Sequence, residues 1–260
     1  TTAPEYILSS LAYSTNWVIA LKIRPLNLEL GHTWTLAIEE QYYLLWPLAL
    51  HFLLKHLPPK KVILITVGLA VVSTFWRVIL WNATGDFWQY NANTGTHADG
   101  LLFGSAFGLL VGFRLMPKSQ LLVNALRTAT VGFVLGSIGI FVFGSPSEGF
   151  IARGGISFVV LTTILVISQL VVFPVNWLKS LLSFSPLVFV GEISYGLYLW
   201  QVPGVNIFNI DSLGGSKLKS DLFFVIIIFG ISFLSYRYFE KPILRFKQRL
   251  VAQKFAMVGP

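Results

Sequence analysis

Long apolar stretches alternate with short polar connections along the whole chain. By length they predict about eight membrane helices, each near the roughly 20 residues needed to cross hydrocarbon. The expected spans are Tyr6–Leu21, Leu36–Leu54, Val62–Trp81, Gly100–Leu115, Leu122–Phe143, Ile156–Phe173, Leu187–Phe208 and Leu222–Phe239. Ser9, Ser10, Ser14 and Asn16 dilute the first. The fold class this pattern implies is all-α, a polytopic transmembrane helical bundle, with residues 1–260 forming one integral-membrane domain. The recurring spans are crossings and do not form a solenoid period. Gly100, Gly104, Gly108 and Gly112 recur every four residues, as do Thr128, Gly132 and Gly136. Small residues at this spacing let helix backbones approach closely in lipid, and close packing is expected of both stripes.

The basic residues give this pattern an orientation. One set of connections carries Lys55, Lys60, Lys61, Arg114, Lys118, Lys179 and a tail with Arg237, Lys241, Arg245, Lys247, Arg249 and Lys254. The opposite set carries Lys22, Arg24, Arg153, Lys217 and Lys219. The Lys/Arg bias places the first set, and the C-terminus, in the cytoplasm, with the protein in the plasma (inner) membrane. His32, Glu39, Glu40, Arg77, His97 and Asp99 then all fall toward the outer face, where one cluster could hold them.

Composition agrees with a membrane protein. The 260 residues are 55% hydrophobic and 12% charged, where soluble domains carry about 25% charged residues. The net charge of +8 lies in loops and tail, which fits connections facing anionic lipid rather than nucleic acid. Cysteine is absent, so disulfides, thiolate metal sites and a cysteine-bound acyl intermediate are excluded. The four histidines lack the spacing of a helical zinc pair, and no metal is expected. The chain starts at Thr1, and no signal-peptide pattern precedes the first apolar run, so a missing beginning is expected.

Candidate chemistry concentrates in Gly31-His-Thr-Trp-Thr-Leu-Ala-Ile-Glu39-Glu40-Gln-Tyr-Tyr-Leu-Leu-Trp46-Pro47. Carboxylates near hydrocarbon are costly unless paired or wet, and so mark candidate sites. Glu39 and Glu40 point about 100° apart on a helix. They are either wet interfacial carboxylates, or one is the buried partner of Arg77 or an imidazole. Tyr43 and Trp46 share a face with Glu39 and could wall its pocket or form an aromatic belt. Arg77 either snorkels between Trp76 and Trp81 or is a fixed cation for a carboxylate or an anionic substrate group. Asp99 either serves the helix dipole or belongs to the site.

Four stretches carry a resemblance. Trp34-Thr-Leu-Ala-Ile-Glu-Glu-Gln-Tyr-Tyr-Leu-Leu-Trp46-Pro47 is similar to the signature W-S-L-A-V-E-E-Q-F-Y-L-L-W-P of the membrane-bound acyltransferase 3 family. Thr94-Gly-Thr-His97-Ala-Asp99-Gly-Leu-Leu-Phe-Gly104 resembles that family's T-D-T-R-A-D-G-L-L-x-G, with His97 in place of Arg. Gly191-Glu-Ile-Ser-Tyr-Gly-Leu-Tyr198-Leu-Trp200-Gln201-Val-Pro203 resembles G-x-I-S-Y-x-L-Y-L-W-H-x-P, with Gln201 in place of His. Ser235-Tyr-Arg-Tyr-Phe-Glu240-Lys-Pro242 matches the closing S-Y-x-x-x-E-x-P.

The resemblance implies transfer of an acyl group, most often acetyl from acyl-CoA as co-substrate with no bound cofactor, to a hydroxyl of an extracytoplasmic glycan or lipid-linked glycan. It also implies about ten helices, the first carrying the basic histidine, so the domain is expected to lack its N-terminal helices and to be inactive alone. His32 is the remaining candidate base, with Glu39 and Glu40 as catalytic partners. Trp34, Tyr43, Arg77, His97, Asp99, Tyr198, Trp200 and Gln201 are the candidate substrate-binding residues. Glutamine at 201 can orient a substrate but not act as base. Two other classes compete: a secondary transporter or channel using Glu39, Arg77 and Asp99 as an ion path, and a non-catalytic relative that binds lipid-linked glycan.

Overall fold

A computed structural model describes residues 3–23, 31–143, 148–208 and 217–258. The described residues are helical with no strand, and the chain divides into two compact units, one up to Lys179 and one from Ser180 on.

In the first unit, α1 (Ala3–Leu11) and α2 (Thr15–Ala20) are short. They lead through a 3-10 turn, Gly31–Thr33, to the long helices α3 (Trp34–His56) and α4 (Pro59–Thr84). Then come α5 (Phe87–Asn91), α6 (Thr94–His97), α7 (Asp99–Gly112) and α8 (Gln120–Phe143). A π-helical turn over Ile151–Gly155 opens α9 (Ile156–Val171), and α10 (Asn176–Leu182) follows. The second unit holds α11 (Ser185–Glu192), α12 (Ser194–Phe208), α13 (Lys217–Ser235), a π-helical turn over Tyr236–Glu240, and α14 (Lys241–Val258).

Among the described residues, four helices are long and apolar enough to cross a membrane: Pro59–Thr84, Gln120–Phe143, Ile151–Val171 and Ser220–Arg249. The helix α4 shows why lipid suits them. Its buried face carries Thr66, Ala70, Ser73 and Arg77, while Leu64, Val72, Phe75 and Ile79 are exposed. A water-soluble helix would reverse that arrangement.

The expected count of about eight spans is not matched. The first expected span, Tyr6–Leu21, is broken into α1 and α2, with Tyr13 between them in the left-handed region at φ 50°. One of its serines takes a helix carbonyl, and another links the break to its neighbours through hydroxyls. Ser14 donates to the Ser9 carbonyl (3.3 Å), and the Ser10 hydroxyl pairs with those of Thr15 (3.2 Å) and Thr33 (3.1 Å). Short hydroxyl side chains offer the backbone this alternative. The helix α3 is long enough, but its glutamates, Gln41 and His51 dilute its apolar character. The fourth expected span ends early, because α7 has 14 residues, about 21 Å of helix against a hydrocarbon core of about 30 Å. The seventh, Leu187–Phe208, divides at buried Ile193, where Ser194 donates back to the Gly191 carbonyl (2.9 Å). Of the basic residues used for orientation, Arg24 lies outside the described residues.

The glycine stripes pack less than expected. A Cβ on Gly100 would meet Val160 at 3.2 Å, and one on Gly136 would meet the Phe158 ring at 3.0 Å, so α7 and α8 both approach α9 closely there. A Cβ on Gly104, Gly108, Gly112 or Gly132 would enter open space. In the second unit α12 and α13 meet at Gly196, where a Cβ would lie 3.1 Å from Ser232.

Candidate active site

The polar centre of the first unit is the pair Arg77–Asp99. Arg77 stands on the buried face of α4 and Asp99 in the first turn of α7, the helix that packs most extensively on α4. Their side chains are 0% and 1% exposed, and Nη1 of Arg77 lies 2.8 Å from Oδ2 of Asp99. Arg77 also donates from Nη1 to the Thr96 carbonyl (3.2 Å), from Nε to the Ala152 carbonyl (3.1 Å) and from Nη2 to the Ser157 hydroxyl (2.6 Å). Oδ2 of Asp99 accepts from Thr74 (3.2 Å) and Ser157 (3.0 Å) as well. A buried charge is tolerable only with such partners. The guanidinium thereby ties α4 to α6, α7 and the π-helical turn before α9. Oδ1 of Asp99 is buried without a hydrogen-bond partner among the described residues.

The imidazole of His97 lies beside this pair. Its ring meets Trp34, the first residue of α3, edge-on at 5.1 Å, and Trp34 meets Trp88 at 6.5 Å. Nδ1 of His97 is buried with no hydrogen-bond partner among the described residues. Burial pushes its pKa below the ordinary histidine value; the Asp99 carboxylate opposes the shift and the Arg77 guanidinium adds to it. A neutral imidazole is a proton acceptor near pH 7. His32 sits half-buried in the 3-10 turn just before Trp34.

A second network closes the same region. Gln41 donates to the Tyr13 carbonyl (2.7 Å) and to Oδ1 of Asn16 (3.0 Å), and it accepts from Thr94 (2.8 Å). Asn16 donates to the Ala92 carbonyl (3.2 Å) and to the Thr94 hydroxyl (2.9 Å). Side chains at one end of α2, α3 and α6 are thus locked together. Asp86 caps α5, accepting from the Gln89 N–H at 3.0 Å, and pairs with Lys22 at 2.7 Å. The Lys22 partner, with the cap, lowers its carboxyl pKa.

Of the residues expected in one cluster, Arg77, Asp99 and His97 lie together, with Trp34 against His97, and the glutamates are not partners of that group. Glu39 is exposed and Glu40 half-buried, and the carboxylate that pairs with Arg77 is that of Asp99. Tyr43, expected to wall a Glu39 pocket, is 56% exposed. Its neighbour Tyr42 turns inward instead, pairing with the Ser105 hydroxyl (2.8 Å) and stacking on Trp46 at 5.6 Å. Tyr198, Trp200 and Gln201 belong to the second unit, on α12; Tyr198 and Trp200 are half-buried and Gln201 is exposed. Thr74, Ser157, Asn16, Gln41 and Thr94 were not read from the sequence as site residues. The spacing of Thr66, Ser73 and Arg77 along an apolar helix was the available signal for the buried face of α4.

The family model described as an acyltransferase domain, that of acyltransferase family 3, matches residues 6–237. The chain belongs to the acyltransferase 3 family. Among curated relatives of this family domain, the peptidoglycan O-acetyltransferase OatA of Listeria monocytogenes is 32% identical over 250 residues, 91% of this chain and 39% of that protein. The O-acetyltransferase OatA of Staphylococcus aureus is 28% identical over 246 residues, 91% of this chain and 40% of that protein. The chain spans about two-fifths of the length of these relatives. No solved structure matches it.

Proposed function

We propose that this chain is the membrane domain of an O-acetyltransferase that esterifies a hydroxyl of a cell-wall glycan, peptidoglycan first among them. The observation that carries this reading is similarity to peptidoglycan O-acetyltransferase OatA across 91% of the chain. The site supplies compatible chemistry. A neutral imidazole, His32 or His97, takes the proton of the glycan hydroxyl. The freed oxygen attacks the acetyl carbonyl, and the tetrahedral intermediate collapses with loss of the leaving group, which takes up a proton. Trp34 gives the sugar an aromatic surface beside His97. Arg77 and Asp99 act by position, because the guanidinium and Oδ2 of Asp99 are engaged with α4, α6, α7 and α9.

The donor implied by the family resemblance is acyl-CoA, whose leaving group is a thiolate. In the orientation set by the Lys/Arg bias, the site faces outward and the C-terminus lies in the cytoplasm. The test is base-labile acetate on purified glycan strands from cells with and without the full-length protein. Membranes supplied with isotopically labelled acetyl-CoA test the donor separately: label on glycan supports acyl-CoA, and glycan acetate without label replaces only the donor.

A further inference from the structure

Beside the polar centre, the start of α9 borders two neighbouring spaces that the acetyl-transfer reading does not use. The first is a groove of about 300 Å³ between α8 and α9, lined by Ser137, Ile140, Phe141, Phe150, Ile156 and Val159. Its lining is apolar, since the Ser137 hydroxyl is turned to Thr162 at 3.1 Å. The second, of about 410 Å³, lies over Gly149, Phe150, Arg153 and Gly154. Phe150 borders both. Its ring folds back on Gly155, where a Cβ would stand 3.0 Å from it, so the π-helical turn and its glycine hold the partition in place.

The second space is polar at its head. Arg153 lines it, and a Cβ on Gly149 would lie 3.0 Å from Nη1 of Arg153 and 3.4 Å from Nε1 of Trp81, so both donors pack closely against this glycine. Arg153 is exposed and steadied by a bond from Nη2 to Oδ1 of Asn82 (3.2 Å). A guanidinium and an indole N–H make a donor pair for a phosphate oxygen. Beside it begins a dry groove that accepts a hydrocarbon chain. An inserted π-helical turn often marks a functional position, and this one is also tied to Arg77 through the Ala152 carbonyl.

We propose that these two spaces form one binding site for an anionic phospholipid, its phosphate on Arg153 and Trp81 and one acyl chain between α8 and α9. A zwitterionic lipid offers the same chain, but its phosphate is already paired with an ammonium, so the head group decides the preference. The site is independent of the acetyl-transfer reading.

The test is native mass spectrometry of the full-length protein in detergent, titrated with phosphatidylglycerol or phosphatidylcholine. The expected result is one tightly held lipid with about a tenfold preference for phosphatidylglycerol, equivalent to about 1.4 kcal/mol. Arg153→Gln should remove the preference and keep the lipid, whereas Val159→Trp should fill the groove and lose both lipids. Thermal unfolding establishes that each variant is folded, and Arg153, being exposed, gives an arm that does not depend on repacking. Equal binding of the two lipids by the unsubstituted protein would overturn the proposal. So would a preference that survives Arg153→Gln. Displacement of the lipid by millimolar inorganic phosphate alone would show a phosphate site without a chain, and would overturn it too.

Discussion

At the scale of single residues, charge inside the bundle is tolerated only when it is paired and hydrogen-bonded. Asp99 is held by Arg77, Thr74 and Ser157. Asp99→Asn leaves the guanidinium buried without its counter-charge and should cost about 3–5 kcal/mol of stability. Arg77→Met combined with Asp99→Leu should cost clearly less than the two single changes added, because no charge is then stranded. Unfolding in detergent, followed by helical circular dichroism, checks both expectations. His97 makes a different prediction. Its folded pKa lies below the unfolded value of about 6.5, because burial disfavours the imidazolium. The unfolded chain therefore gains a proton first as pH falls. Stability should be full above about pH 6.5 and decline as pH drops through the folded pKa. His97→Gln should flatten that decline. An unchanged pH profile in the variant would assign the effect to other groups.

At the scale of elements, the sequence made the long helices legible and misplaced the short ones. Period and length identify α4, α8, α9 and α13 because their hydroxyls, such as Thr66, Thr130 and Thr162, bond back to carbonyls of the same helix without breaking it. Ser9, Ser10 and Ser14 do compete, and a reading by hydropathy passes over the break they make. Of the two alternatives for Glu39, the buried partner of Arg77 is the one not met, for a related reason. Helical spacing tells which residues share a face but not which face turns inward, and here Tyr42 and Ala37 turn in while Tyr43 and Glu39 turn out. The Arg77–Asp99 pair was legible as two candidates, but its hydroxyl partners were not. Thr74 and Ser157 are unremarkable on their own helices and become partners only in the packed bundle.

Two contrasts test the elements. Gly104→Ala should be tolerated, because its Cβ meets open space. Gly136→Ala must displace the Phe158 ring and should cost about 1–3 kcal/mol. At α5, Asp86→Ala removes a helix cap and should cost about 1 kcal/mol. Asp86→Asn keeps the cap and loses only a largely exposed pair with Lys22, an effect of less than about 1 kcal/mol. Comparable losses for both Asp86 variants would mean that the ion pair, not the cap, carries the stability.

At the scale of the whole molecule, a first unit that buries polar groups and exposes leucine, valine and phenylalanine suits lipid, and the chain belongs to a family of acyltransferases. The orientation proposed from the Lys/Arg bias predicts that a reporter fused after Pro260 reads cytoplasmic and one placed at 82–86 reads external. The reverse pattern would turn the Arg77–His97 end toward the cytoplasm and away from any cell-wall acceptor. Acetyl transfer to glycan is the central claim, and ester-linked acetate tests it most directly. Glycan strands are purified from cells that make the full-length protein, from cells that lack it, and from cells that make matched amounts of His32→Gln or His97→Gln. Acetate released by mild base is then quantified. The account predicts acetate that depends on the protein and falls by about a hundredfold or more in at least one histidine variant, in keeping with loss of a general base. Glycan acetate equal in the presence and absence of the protein would contradict it.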